Sequence, residues 1–463
     1  MSGKSSKRRA GLPTDWPASL AQVSLDAAGV DVGAESHWVA VPPDRDERPV
    51  REFKAFTADL QALGEWLKAC GVRTVAMEST GVYWIPLFEL LEQQGFEVLL
   101  VDPHGLKSVP GRKTDVLDCQ WLQQLHTYGL LRGAFRPDGQ VCGLRAYLRQ
   151  RAMLVQYASQ HIQHMQKALT QMNLKLQQVV ADISGATGLR IIRAIVGGQR
   201  DAQALAQLRD GRCQHDEATI ARALEGTYRT EHLFELQQAL ELYEVYQQKI
   251  AVCDQQIQAC LKTFANRTDE PLPPTDRSSG KHQRARTGPG LEMRSELWRI
   301  SGVDLTRIDG IDSHTALKIL SELGPDLVKQ FPSSRQFASW LGLCPGNKIS
   351  GGKRLSGRTK PSANRVAAAL RLAASGLWRS KSYLGAYLRR MKGRLGAAKA
   401  VTATAHKLAR LIYTLLKHGQ QYLDLGQDHY EQQYQQRVLR NLVRRADELG
   451  YQLVPIAAPV AQS

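Results

Sequence analysis

Cysteine is scarce in this chain of 463 residues, and its spacing excludes two classes of protein. The seven cysteines include no CxxC pair and do not cluster with histidine. Zinc sites and disulfide frameworks both need such clusters, so we expect neither of them here. Free, scattered cysteines are typical of a reducing compartment, and the sequence therefore predicts a cytoplasmic protein.

Long hydrophobic runs are also missing. No stretch of about 20 consecutive apolar residues occurs, so the sequence predicts no membrane span. The first residues are basic, with Lys4, Lys7, Arg8 and Arg9, but they lack the apolar segment of a signal peptide. We expect residues 1–23 to form a disordered basic tail.

Acidic residues are absent from one long part of the chain. Between Leu327 and Leu423 there is no Asp or Glu, while Lys and Arg recur throughout, and the whole chain has a formal net charge of +17. Exposed helices normally mix charges of both signs, because like charges at helical spacing repel each other. Such a segment favours a polyanionic partner, and we interpret it as a nucleic-acid-binding region.

The first part of the chain predicts an α/β domain over residues 24–138. Short β-branched runs and amphipathic segments give three strands, followed by helix, strand, helix and strand. This order is typical of a ribonuclease-H-like fold with a mixed sheet. The predicted strands are Gly29–Val32, Trp38–Val41, Val50–Phe56, Val72–Met77 and Phe96–Val101, and the predicted helices are Ala58–Cys70 and Ile85–Gln94.

Residues 139–265 predict a helical coiled-coil domain. One apolar stripe runs from Val155 to Val179 in alternating steps of three and four, and a second runs from Leu236 to Phe264. A small helical insert, about residues 184–230, separates them. The stripes either pair two protomers or pack against each other within one chain; we favour the first, because long stripes usually seek another helix.

The rest of the chain predicts a linker, a second helical domain and a tail. Residues 266–299 are rich in Pro, Ser, Gly and Arg, residues 300–423 are helical, and residues 424–463 carry no identifiable chemistry. The segment Ile308–Leu320 is similar to a helix-hairpin-helix, whose backbone amides bind a phosphate. Asp312 replaces its second glycine, which weakens anion binding, and a plain helical turn fits equally well.

Four carboxylates are candidate metal ligands. Asp31 and Glu78 lie at the ends of predicted strands, and Asp115 and Asp118 are three residues apart, on one face of a predicted helix. Such oxygen ligands suit Mg²⁺ or Mn²⁺, which can stabilise the attacking and leaving oxygens of a phosphodiester. The alternative is that these acids are structural and bind backbone amides at strand ends.

A basic segment around Ser350 is the candidate site of a nucleophile. Ser350 precedes two glycines in a stretch that we predict to be a flexible loop, and basic neighbours suit a phosphate. Ser356 is the other candidate nucleophile. Alternatively, Ser350 has no catalytic role and belongs to a simple Ser-Gly turn. The candidate nucleic-acid-binding residues are Arg112, Lys113, Lys348, Lys353, Arg354, Arg358, Lys360 and Arg365.

Taken together, these motifs resemble a known family. The segments around Asp31, around Glu78 and from Gly111 to Asp118 look like the three acidic motifs of the DEDD transposases of bacterial insertion sequences. The family is insertion-sequence family one-hundred-ten, also called bridge-RNA-guided recombinases. The stretch from Ser350 to Arg365 looks like its C-terminal serine motif. The order of the segments matches over about residues 25–420.

The resemblance implies a catalytic domain like that of the Holliday-junction resolvase RuvC and a separate serine-bearing domain, which together form a composite site. Asp31, Glu78, Asp115 and Asp118 would bind Mg²⁺, and Ser350 would attack donor and target DNA through a phosphoserine intermediate. It also implies a tetramer, a bridge RNA that pairs with both DNAs, and a location at the bacterial nucleoid. The RNA partner follows from the resemblance alone.

Two other functions remain open on the sequence. One is a metal-dependent, junction-selective endonuclease that hydrolyses DNA with water and forms no serine intermediate. The other is a nucleic-acid-binding scaffold in which the acids are structural. The serine motif, the acid-free basic region and the carboxylates occur together, and this favours the recombinase.

Overall fold

A computed structural model of the chain describes residues 22–79, 81–101, 115–274, 293–359, 362, 364–419 and 424–454. These residues belong to two compact units, which divide between Arg136 and Pro137. Several predicted features lie outside the described residues: most of the basic tail, the centre of the linker, and the candidate DNA contacts Arg112, Lys113 and Lys360.

The first unit is built on a five-stranded mixed sheet with strand order β3-β2-β1-β4-β5. Strands β1 and β2, and β2 and β3, are antiparallel, whereas β4 is parallel to both β1 and β5. The fold class predicted from the sequence, a ribonuclease-H-like mixed sheet followed by helices, is confirmed. The strands are β1 Ala27–Val32, β2 Ser36–Ala40, β3 Val50–Lys54, β4 Thr74–Glu78 and β5 Glu97–Val101.

Helices cover both faces of this sheet. Helices α1 (Thr57–Ala69) and α2 (Trp84–Gln93) pack on one face, where Val30 and Met77 are fully buried in the main core of the unit. Helix α3 (Asp115–Thr127) packs on β1 from the other face. Because side chains alternate along a strand, the neighbours of Val30 and Met77 in sequence point towards α3.

Two long helices dominate the start of the second unit. Helices α4 (Gly139–Gln171) and α9 (Thr230–Thr263) pack against each other. Met165, Leu169, Leu236 and Ile250 of the predicted stripes share one buried core. The stripes therefore pack within the chain, which is the alternative that we favoured less. The helices are α4 Gly139–Gln171, α5 Leu176–Val179, α6 Ala186–Val196, α7 Ala202–Ala206, α8 Glu217–Leu224 and α9 Thr230–Thr263.

The remaining elements are short helices, one β-hairpin and three longer helices. The tail predicted from residue 424 begins with a helix, and the loop predicted around Ser350 is a hairpin. The elements are α10 Met293–Ser301, α11 Ser313–Leu323, α12 Leu327–Gln330, α13 Ser334–Trp340, β6 Lys348–Ser350, β7 Lys353–Ser356, α14 Arg365–Ser375, α15 Tyr383–Leu395, α16 Ala397–His418 and α17 Gly426–Glu448, with 3-10 turns at Leu305–Arg307 and Gly376–Arg379.

Asp312 has a structural role in this region. Its carboxylate accepts a hydrogen bond of 2.7 Å from the backbone N–H of Thr315 and so caps the N-terminus of α11. The preceding Gly310 has a φ of 86° and packs close to the carbonyl oxygen of Ala373 in α14. A carboxylate at this helix start is unfavourable for a phosphate, which agrees with the weakened hairpin motif. Among the described helices, none has the length and hydropathy to cross a bilayer.

Candidate active site

Asp31 and Glu78 lie near the carboxyl ends of two adjacent parallel strands. Val30 of β1 pairs with Met77 of β4, so the residues that follow them lie next to each other on the opposite face of the sheet. Glu78 is the last residue of β4, and Asp31 is the second-last residue of β1. The sheet therefore places both carboxylates at one edge, on the side of α3.

Gly29 allows α3 to approach β1 closely enough to add the other two carboxylates. A Cβ atom at this position would lie 2.3 Å from both the carbonyl oxygen of Cys119 and the backbone nitrogen of Gln123. Both are backbone atoms of α3, so only glycine fits without displacing the helix. Asp115 and Asp118 lie in the first turn of the same helix.

The electrostatics of Asp31 show that these four acidic residues interact. Burial and, after it, the charges of Glu78, Asp115 and Asp118 raise the pKa of Asp31 to about 6, against a hydrogen bond from the backbone of Val32. Desolvation and like charge both disfavour the ionised form of a carboxylic acid. The structure therefore brings Glu78, Asp115 and Asp118 within electrostatic range of Asp31.

The chemistry of this set fits a divalent cation. All four side chains are carboxylates, which Mg²⁺ and Mn²⁺ prefer as ligands, and a bound cation would offset the repulsion that Asp31 experiences. Among the residues that the structure describes, however, no three acidic, imidazole or thiol groups already form a metal-binding cluster. The four side chains must therefore rearrange before they can coordinate one ion together.

Cys119 lies in this region but is not a candidate nucleophile. Its thiol is fully buried between α3 and the sheet, and burial, together with the charge of Asp31, raises its pKa to about 12. A cysteine nucleophile needs a depressed pKa, because the thiolate is the reactive form. Cys119 is therefore a packing residue.

Ser350 lies at the end of β6, directly before a tight two-residue turn. It pairs with Lys353 of β7, and the intervening Gly351 and Gly352 have φ angles of 53° and 73°. Positive φ at both central positions is characteristic of a type I′ turn, which glycine adopts without strain. The hairpin holds Ser350 at an exposed position, whereas Ser356 is half-buried and its hydroxyl accepts a hydrogen bond from the backbone N–H of Arg358.

Basic side chains surround this hairpin. Lys353, Arg354 and Arg358 are exposed, and Arg365 is an exposed residue at the start of α14, whose N-terminus is capped by Asn364. None of these four forms an ion pair within the described part of the chain. Lys348 belongs to β6, and its side chain lies outside the described residues.

Comparison with known proteins agrees with this arrangement. Residues 28–174 match the sequence model of the DEDD transposase of IS110 elements, and residues 304–389 match that of the transposases of the IS116/IS110/IS902 family. The two matches together span half of the chain. The chain belongs to the IS110 family of transposases. It is therefore an enzyme that acts in DNA transposition and recombination, which excludes the scaffold that the sequence left open.

The two matched regions of the transposase separate the candidate residues. The first contains Asp31, Glu78, Asp115 and Asp118, and the second contains Ser350. No curated protein sequence matches the transposase.

Sequence reasoning missed two features of the transposase. The close approach at Gly29 could have been suspected from an alternation of small and acidic residues in one strand. A cluster of tyrosines beyond the hairpin was also missed, although Tyr383 and Tyr387, and Tyr430 and Tyr434, are each four residues apart. The second tyrosine pair falls in the region that the sequence indicated to be a tail.

Proposed function

We propose that this transposase cuts and rejoins DNA through a phosphoserine intermediate, with divalent metal ions held by Asp31, Glu78, Asp115 and Asp118 and with Ser350 as the nucleophile. The observation that carries the proposal is the raised pKa of Asp31. Burial and three acidic neighbours raise it, which indicates that several carboxylates lie close together at the carboxyl ends of β1 and β4. A divalent ion bound there would act as a Lewis acid on phosphate oxygens.

The position of Ser350 supports its proposed role. The residue is exposed on a two-strand hairpin, and exposed cations on β7 and α14 are suited to hold the phosphate that it would attack. In this reaction a bond forms between Oγ and phosphorus, and the bond between phosphorus and the leaving deoxyribose oxygen breaks. Oγ loses its proton to solvent as this bond forms, and the leaving deoxyribose oxygen takes up a proton from solvent. A hydroxyl of the second DNA then attacks the same phosphorus and displaces Oγ, which joins the exchanged strands.

The experiment is a covalent-adduct assay. The protein, together with the RNA that copurifies with it, is incubated with donor and target DNA and Mg²⁺, and the products are separated by denaturing electrophoresis. We expect a protein-linked DNA band that Ser350→Ala abolishes and that Ser356→Ala retains. Free cut ends without an adduct, unaffected by Ser350→Ala, would instead support the junction endonuclease that forms no serine intermediate.

We further propose that the enzyme acts as a tetramer guided by a bridge RNA. Support for self-association comes from α9, where Leu242, Val245 and Val252 are exposed on one side of the helix although its other side is buried against α4. Apolar side chains at this spacing favour packing with a further helix. The RNA partner is proposed on family resemblance, and the basic region supports a polyanion in general.

Light scattering tests the oligomer. We expect Val245→Glu to lower the molar mass of the particle in solution, while Glu241→Gln on the same helix leaves it unchanged. Copurified RNA, sequenced after extraction, tests the RNA partner. If the protein still recombines DNA fully after ribonuclease treatment and repurification, the proposal that an RNA guides it is wrong.

A further inference from the structure

A cavity of about 260 Å³ lies between α15, α16 and α17, in the second unit. Its lining includes none of the candidate carboxylates and no residue of the Ser350 hairpin, and most of its lining residues lie beyond residue 389, where the second family match ends. The lining residues are Tyr383, Tyr387, Met391, Arg394, Lys407, Tyr430, Tyr434, Arg437, Val438 and Asn441. The lining is thus mainly aromatic and cationic.

The aromatic part is a box of four tyrosines. Tyr383 and Tyr387 lie one turn apart on α15, and Tyr430 and Tyr434 lie one turn apart on α17. The ring of Tyr430 is buried and meets Tyr383 edge-on, with ring centroids 4.9 Å apart. Packing therefore holds Tyr430 in place. Tyr434 is partly exposed, and the guanidinium of Arg390 lies over one face of its ring, 3.5 Å from the centroid, so a base would stack on the other face.

The cationic part centres on Lys407 of α16. Its Nζ lies 4.3 Å from the ring centroid of Tyr383 and 4.4 Å from that of Tyr387. Burial, together with the charge of Arg437, lowers the pKa of Lys407 to about 8. No carboxylate lines the cavity, and within the described residues Lys407 forms no ion pair. The side chain of Glu431, which lies nearby on α17, is paired with Arg390.

This arrangement leaves a positive charge that a ligand could offset. Cation–π contacts with two rings stabilise an ammonium group only in part. A phosphate would interact with Lys407, Arg394 and Arg437 together. The volume lies just below the range of about 300 to 1,000 Å³ typical of small-ligand pockets, which suits one nucleotide rather than a large cofactor.

We propose that this cavity binds one nucleotide of a single-stranded nucleic-acid segment, with its phosphate against Lys407, Arg394 and Arg437 and its base against Tyr434. Proteins hold single strands by combining a cationic groove with aromatic rings on which bases stack, and all of these parts are present here. The proposal goes beyond the catalytic one and does not depend on Ser350.

Binding of labelled oligonucleotides tests the site. The probes are single-stranded DNA and RNA of about eight nucleotides, within the length range that such grooves bind, and fluorescence anisotropy reports the Kd. We expect Lys407→Met to weaken binding of the DNA probe, the RNA probe or both by about tenfold or more. This is the size of effect expected from the loss of one strong charge-assisted hydrogen bond. The matched control is Lys399→Met, an exposed lysine on the same helix outside the cavity, for which we expect less than a twofold change.

The base contact has its own pair of variants. Tyr434→Phe keeps the ring and should bind the strand as the unmodified protein does, whereas Tyr434→Leu should weaken binding about fivefold or more. Thermal unfolding of each variant shows that the fold is intact. Lys407→Met is expected to unfold no earlier than the unmodified protein, because it removes a partly desolvated cation.

Competition separates the possible ligands. Unlabelled single strand should displace the probe at far lower concentration than thymidine monophosphate, inorganic phosphate or duplex DNA of equal length. Displacement by the free nucleotide or by phosphate at the same concentration would overturn the strand assignment. Equal losses for Lys407→Met and Lys399→Met would show general attraction to a basic surface, and would overturn the site itself.

Discussion

Asp31 and Glu78 follow two directly paired residues of parallel strands, Val30 and Met77, and their carboxylates share one face of the sheet. Burial, together with the charges of Glu78, Asp115 and Asp118, raises the pKa of Asp31 to about 6. The protein thus holds in its fold a charge arrangement that is unfavourable without a cation.

Asp31 should make the metal-free protein less stable above pH 6. Its pKa in the folded state, about 6, is higher than the ordinary value of 3.8, so stability is lost as pH rises from about 4 through 6. The full shift corresponds to about 3 kcal/mol, and we expect about 1 to 2 kcal/mol because solvent screens this partly exposed group. Urea unfolding in a chelator at pH 7.5 should show that Asp31→Asn is more stable than the unmodified protein by that amount.

A matched control for this effect is Asp59→Asn, a half-buried acid in the first turn of α1 that is not part of the candidate site. It should show no gain in stability at pH 7.5. At pH 4 the gain of Asp31→Asn should shrink towards zero. An equal gain at both pH values would contradict the ionisation argument.

Gly29→Ala should separate α3 from the sheet. The added Cβ would overlap backbone atoms of Cys119 and Gln123, and overpacking of this kind costs about 1 to 3 kcal/mol. Because α3 carries Asp115 and Asp118, we expect the variant to lose DNA cleavage while retaining DNA binding. Chemical denaturation, cleavage and gel-shift assays measure the three properties. Gly139→Ala, where a Cβ meets open space, is the control and should behave like the unmodified protein.

The turn after Ser350 should tolerate only residues that accept positive φ. Replacing Gly351-Gly352 with Asn-Gly, the sequence that favours a type I′ turn, should preserve the covalent adduct. Replacement with Ala-Ala should reduce the adduct yield by about tenfold, because both alanines would need strained backbone angles. The covalent-adduct assay measures this yield, with a DNA substrate that cannot be rejoined after cleavage. Equal yields from both replacements would show that the hairpin does not position the nucleophile.

The two long helices are joined by an ion pair between the buried Arg151 and the half-buried Asp254, at 2.5 Å. Asp254→Ala leaves a buried guanidinium without this partner and should cost about 3 to 5 kcal/mol in the free energy of unfolding. The exposed pair between Arg193 and Glu244, at 2.7 Å, also involves α9. Glu244→Ala should cost less than about 1 kcal/mol. Urea unfolding measures both variants. If they lose similar amounts of unfolding free energy, burial does not determine how much each ion pair contributes.

The sequence predicted the first unit well because its signals are local. Strands β1 and β4 are short β-branched runs, and their order specifies which ends meet at one edge. The same reasoning identified Asp31 and Glu78 as edge residues. The pair Asp115 and Asp118 was found from helical spacing alone.

Other features depended on tertiary contacts that a single sequence does not reveal. The apolar stripes of α4 and α9 have the same spacing whether they pair within a chain or between chains, and only the structure shows the buried core that they share. The hairpin at Ser350 contains basic and glycine residues that indicate a loop, yet cross-strand pairing with Lys353 orders it. The tyrosine box needs three helices, so neither tyrosine pair indicated a site by itself.

Binding of Mn²⁺ tests the central claim most directly. Electron paramagnetic resonance measures the free ion, so titration of purified protein reports how many ions bind and how tightly. We expect at least one ion to bind the unmodified protein, and we expect Glu78→Gln and Asp31→Asn each to weaken its binding by tenfold or more, while Asp59→Asn leaves it unchanged. If Mn²⁺ binds both carboxylate variants as tightly as it binds the unmodified protein, the four acids do not hold the metal and the account is wrong.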